Sequence, residues 1–215
     1  MNKRVPLAFS AVCVAFLALS CAEPSGFQGR SAVGSLPAGF EKRAVTSVTD
    51  AADYAGTYIR ALGLEDLGVT QVADVGIRYF VYVDEVASGR AAFSLDVSRA
   101  GEIEGRQFPA MEPEMMWNQK YGHRARERLS SIRTKMGLDE ARILAAKSLQ
   151  NEPSLGLGSP REYYGYYLFP LRSGNRLIGE AAVNGADGTV VWARYPKAFR
   201  SMVDLRAPHP GPGPT

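Results

Sequence analysis

The chain has 215 residues, 46% hydrophobic and 22% charged, which fits one domain or two small ones and excludes disorder throughout. Its formal charge is +3, too small to point to nucleic acid, and once Lys3 and Arg4 are set aside with the first 20 residues, 23 basic side chains face 22 acidic ones. Of Cys13 and Cys21 only the second lies beyond that leader, which leaves no disulfide framework and no thiolate metal cage.

Met1-Asn-Lys-Arg4 is a short positive region, and residues 5–19 form an apolar run shorter than the roughly 20 residues of a spanning helix. The run ends in Leu17-Ala-Leu-Ser-Cys21. Small Ser20 before the cysteine, with Leu17 and Leu19 upstream, resembles a bacterial lipoprotein lipobox, although Ala18 stands where leucine is more usual. Ordinary secretion with cleavage near Ser20 and Ala22 is the other reading. The resemblance implies a signal peptide over 1–20 and acyl chains such as palmitate on Cys21. It also implies an exported protein anchored to the membrane at the cell envelope, since two or more chains bind a bilayer stably. Residues 21–45, rich in Gly, Ser, Pro and Ala, read as a flexible tether.

The ordered region opens with Thr46-Ser-Val-Thr49, which offers helix caps, and with Asp50 and Asp53 in a first turn. Ala51, Tyr54, Ala55, Tyr58, Ile59 and Leu62 recur at helical spacing, so a helix is predicted over 49–62, stopped by Gly63. Strands follow over 69–75, 79–83 and 91–97, with a hairpin turn at Ala87-Ser-Gly-Arg90. Residues 120–135 hold Lys120, Arg124, Arg126, Arg128, Arg133 and Lys135, with Leu129, Ile132 and Met136 at helical spacing. This reads as a basic amphipathic helix, either a solvated face over a packed stripe or a surface for anionic lipid.

The second half repeats the order. Asp139 and Glu140 open a helix carrying Ala141, Ile143, Leu144, Ala145 and Leu149. Strands are predicted over 163–169, 177–183 and 189–192, with turns at Arg172-Ser-Gly-Asn175 and Asn184-Gly-Ala-Asp-Gly188. In the run 163–169, Tyr164, Tyr166 and Leu168 would face one side and Tyr163, Tyr167 and Phe169 the other. One face is core, and the other is either covered by the first half or open as a binding surface.

A helix, a bending hairpin and a strand ending in Asp-Gly-Thr-Val-Val-Trp192 resemble the PepSY domain of secreted bacterial proteins, over 138–192 and more weakly over 49–103. The resemblance implies an α+β fold of two similar helix-plus-antiparallel-sheet halves, 46–108 and 138–206, joined by a helical linker over 109–137. A disordered tail over 207–215 follows. It further implies binding or modulation of a protein or peptide partner rather than an enzymatic reaction.

No catalytic constellation and no cofactor motif is present: only His123 and His209 could serve a histidine mechanism, and Gly156-x-Gly158 lacks the third glycine and the helix of a dinucleotide loop. The densest chemistry lies in 110–123, where Met111, Met115, Met116 and His123 are ligand types suited to Cu(I). That supports an alternative function as an envelope copper sensor or chaperone. Against it, Met116 and His123 on one helix would stand about 10 Å apart, too far for one ion. Met111, Met115, Met116, Trp117, Asn118, Lys120, Tyr121 and His123 are therefore a candidate partner-contacting or packing segment, with Trp117 and Tyr121 as anchors.

Intact mass spectrometry of the membrane-extracted protein is expected to show acyl mass on Cys21, and a Cys21→Ser variant is expected to lose both that mass and membrane partitioning. A wild-type chain carrying no acyl mass would contradict the lipobox reading.

Overall fold

The computed structural model describes residues 37–105, 117–121, 135–195 and 197–206. The expected signal peptide, residues 21–36 of the expected tether, residues 106–116 and 122–134, and the tail 207–215 lie outside the described residues. The remainder of the expected tether, 37–45, is instead packed on the fold, with Phe40 against Tyr54 and Tyr58 and the buried Val45 amide bonded to the Arg99 carbonyl at 2.9 Å.

Helix α1 (Val48–Ala61) begins where the Ser47 hydroxyl accepts the Asp50 amide at 3.1 Å and the Asp50 carboxylate accepts the Thr46 amide at 2.8 Å. These reciprocal bonds satisfy donors that the first helical turn cannot pair internally, and they start the helix one residue before the sequence expectation. Its stripe of Ala51, Tyr54, Ala55, Tyr58 and Ile59 is buried. The stripe lies on one face of a meander of β1 (Leu67–Asp74), β2 (Arg78–Glu85), β3 (Ala91–Ser98) and β4 (Ile103–Gly105), all antiparallel. The turn into β4 passes through Gly101 at φ +83°, where a Cβ would meet the Arg43 carbonyl oxygen at 2.0 Å. The Tyr54 hydroxyl donates to the Gly101 carbonyl at 2.8 Å, so the helix is pinned to that turn.

The second helix, α2 (Leu138–Ser148), buries Ala141 and Ala145 and has Asp139 and Glu140 in its first turn, where carboxylates favour the helix dipole. It packs on β7 (Tyr166–Ser173), β8 (Arg176–Asn184) and β9 (Val190–Arg194). Two short strands before them, β5 (Gly156–Leu157) and β6 (Arg161–Glu162), both pair with the outer edge of β7. Strands of two residues carry no periodicity, so neither is visible in the sequence.

The last strand, β10 (Ser201–Asp204), corrects the expected domain limits. It was placed with the second half, 138–206, yet it pairs antiparallel with β1, from Gln71↔Asp204 to Asp74↔Ser201. The first sheet therefore runs β10-β1-β2-β3-β4 and the second runs β5-β7-β8-β9. The physical reason is the open ladder of β1. Its Asp74 and Thr70 carbonyls accept the Arg200 and Leu205 amides at 2.8 Å each, closing an edge that would otherwise stand unpaired.

Among the described residues the result is α+β: two antiparallel sheets with one helix on each outer face and their inner faces packed together. Ala73, Phe80 and Tyr82 of the first sheet share one core with Tyr166, Leu168 and Ala182 of the second. That covering explains why Tyr79, Phe80, Val81, Tyr82 and Val83 are all buried although alternate residues point to opposite faces. Of the two roles open to the aromatic run at 163–169, both faces are covered.

The face assignment within that run needs a correction. The chain is not one strand from 163, because Gly165 takes φ +102° and a side chain there would strike the Trp117 carbonyl oxygen at 2.4 Å. The reversal puts Tyr163 back on Tyr166, stacked at 4.4 Å and 8°, while Tyr164 turns to the first core. A two-residue period cannot pass through a left-handed glycine.

Candidate functional site

Besides the polar pairs buried between the sheets, two groupings of side chains lie where the layers meet. The first contains the described part of the segment singled out in the sequence. Asn118 is buried; its amide nitrogen donates to the Ala92 carbonyl at 2.7 Å, and its oxygen accepts the Tyr121 amide at 2.8 Å and the Lys120 amide at 3.2 Å. The Gln119 amide donates to the Tyr164 carbonyl at 2.7 Å. Trp117 packs edge-on against Tyr166, and Tyr121 lies edge-on to Phe93 and Tyr164. Trp117, Asn118, Lys120 and Tyr121 are thus occupied within the fold, tying β3 to the second sheet. Gln119, Lys120 and Tyr121 form a turn, not the start of the predicted basic helix, whose residues 122–134 lie outside the described residues. Met111, Met115, Met116 and His123 of the copper reading also lie outside them, as does Cys21.

Glu85, at the end of β2, fastens this turn. Its Oε1 accepts Lys120 Nζ at 2.6 Å, the Tyr164 hydroxyl at 2.7 Å and the Tyr121 hydroxyl at 2.8 Å, and its Oε2 accepts Ser88 Oγ at 2.6 Å. Burial pushes the Glu85 pKa up, but the four donors outweigh it and hold the carboxyl at about 2. Burial and the same carboxylate push the Tyr121 and Tyr164 hydroxyls above the usual phenol range.

The second grouping lines an open groove of about 570 Å³ formed by residues of both sheets and of α2. Leu157, Pro170, Leu177 and Met202 form an apolar floor, and Arg142, Arg161, Arg172 and Arg206 line it against one carboxylate, Asp204. Past Pro160, Arg161 and Arg206, which line both, it continues into a recess of about 400 Å³ beside Arg90 and the hairpin that joins β2 to β3. The arginines come from α2, β6, β7 and the residue pair after β10, so only the assembled layers bring them together.

Arg161 sits at the centre. It donates to the Asp84 carboxylate, to Gln71 Oε1 at 2.8 Å and to Thr70 Oγ1 at 3.3 Å, bridging β6 to the first sheet. Its guanidinium lies 4.9 Å from the Tyr82 ring centre. Arg206 chelates Asp204 and, ahead of the opposing effect of burial, holds that carboxyl well below its usual range. Arg142 rests over the Phe169 ring. No carboxylate among the described residues is within ion-pair distance of Arg142 or Arg172. Cations without a carboxylate partner beside apolar lining residues can hold an anionic group.

Sequence reasoning missed this groove and looked for basic surface in 120–135 instead. Arg90, Arg142, Arg161, Arg172 and Arg206 are spread over more than half the chain with no shared motif, so no local signal marks them. Among the described residues no helix is long and apolar enough to cross a membrane.

No protein-family model and no curated protein matches the chain. A solved structure, the YpeB C-terminal domain of Bacillus megaterium, is similar at 16% identity and a TM-score of 0.27, covering 77% of this chain and 70% of that one.

The Glu85 arrangement makes a pH prediction. A carboxyl held below its ordinary value stabilises the fold above pH 4.5, and that stability is lost as pH falls from there toward about 2. Glu85→Gln is expected to lower unfolding free energy at pH 7 by about 1–2 kcal/mol, solvent screening included, and to flatten the fall between pH 4.5 and 2 in denaturant titrations. An unchanged pH slope in the variant would contradict this assignment.

Proposed function

We propose that this chain is a non-enzymatic module of the cell envelope, held to a membrane through lipidated Cys21, that binds or modulates a protein or peptide partner in the groove between its sheets. The observation carrying this reading is the groove itself: an open apolar trough, flanked by arginines, on a surface built from both sheets. An open trough suits a segment laid along it better than a small substrate that must be shielded from water.

Support for the PepSY-like build comes from the order of elements. Each part of the chain places a helix before antiparallel hairpins and packs that helix on one sheet face, as α1 does over β1 to β3 and α2 over β7 to β9. On this reading the two PepSY-like halves are a duplication whose free faces are turned toward each other. Their union makes a binding edge that neither half would have alone.

A photo-crosslinking residue at exposed Ser159, on the groove wall, tests the proposal in envelope preparations. A discrete protein or peptide adduct is expected that is missing when the same probe replaces Asp53 on the outward side of α1. Identical adducts from both positions, or none from Ser159, would contradict a partner site in the groove.

A further inference from the structure

We infer that the groove takes an extended acidic peptide, its carboxylates meeting the arginines and an apolar side chain resting on the floor between them. The inference rests on the partner reading above and adds the chemistry of the partner. Charge is the first argument. Of the four arginines in the main groove, Arg206 chelates Asp204 and Arg161 is paired with Asp84, which leaves Arg142 and Arg172. Arg142 and Arg172 therefore hold positive charge that no described carboxylate offsets.

Arg161 at the shared wall and Arg90 in the recess beyond it extend the basic lining along the trough, each beside a carboxylate of its own, Asp84 and Glu162.

The shape selects a peptide over a compact anion. The cations are not arranged round one point: Arg142 and Arg172 stand on the α2 and β7 side, Arg206 on the β10 side, and Arg90 beyond Pro160. Leu157, Pro170, Leu177 and Met202 lie among them and offer an inorganic anion nothing. A strand-like segment alternating acidic and apolar residues presents both chemistries at suitable spacing.

The test uses the full mature chain and fluorescence anisotropy with a labelled peptide of alternating Glu and Leu, its Gln–Leu counterpart, and inorganic phosphate as competitor. The Glu–Leu peptide is expected to bind at least ten-fold more tightly than the Gln–Leu peptide. Its affinity should weaken as salt is raised and fall ten-fold or more in Arg142→Gln/Arg172→Gln, whose changed side chains lie outside the core. A thermal melt of that variant matching wild type confirms that the loss is not unfolding. Equal binding of the two peptides would overturn the acidic class, while a Ser159 adduct would still uphold a partner in the groove. Displacement by millimolar phosphate, or failure of the Glu–Leu peptide to bind, would overturn the inference too.

Discussion

The structure depends on polar groups placed on the two sheet faces that are buried against each other. Tyr82 of β2 donates to Glu180 of β8 across the interface and lies 3.2 Å from the Tyr195 hydroxyl. Ser94 of β3 meets the Tyr163 hydroxyl at 3.0 Å. Glu180 is 2% exposed, so its carboxyl must find its partners inside the protein. An apolar interface could slide by a residue at modest cost, but one that must pair these groups cannot.

The outer features follow from that fixed alignment. With Tyr82 and Glu180 in register, Arg161 arrives opposite Asp84 and Gln71, and Arg90 reaches Glu162 at 2.9 Å. The turn at 117–121 closes one side of the seam, where Asn118 holds β3 and Glu85 gathers Lys120, Tyr121 and Tyr164. On the other side β10 returns from the second sheet to pair with β1. Its Met202 reaches the inter-sheet core and its Asp204 lines the groove. The groove therefore draws its walls from both sheets, and Arg161, at its centre, is positioned by contacts that join the layers.

Much of the fold was legible in the sequence because it is local. The α1 stripe from Ala51 to Ile59 and the Ser47–Asp50 cap lie within one turn or two of each other. The hairpins at Ser88-Gly89 and Ser173-Gly174 are marked by their turn residues. Strands β4, β5, β6 and β10 were not legible, since two to four residues carry too little period and their partners are set by tertiary context. The side that Tyr163 faces is not legible either, since the left-handed turn at Gly165 packs against the Trp117 carbonyl, nearly 50 residues earlier. Of the candidate segment, Tyr121 is buried against Phe93 and Tyr164, contacts that lie far from it in the chain. The role of Asn118, which depends on the Ala92 carbonyl, was not legible.

The measurement that bears most directly on this account is a double-mutant cycle between the layers, with Tyr82→Phe, Glu180→Gln and the pair, read by denaturant unfolding. Each single change should destabilise, and the cycle should return a coupling of about 1–3 kcal/mol within one cooperative transition. Strictly additive effects, or separate transitions for the two sheets, would contradict the claim that buried polar pairing fuses them into one body.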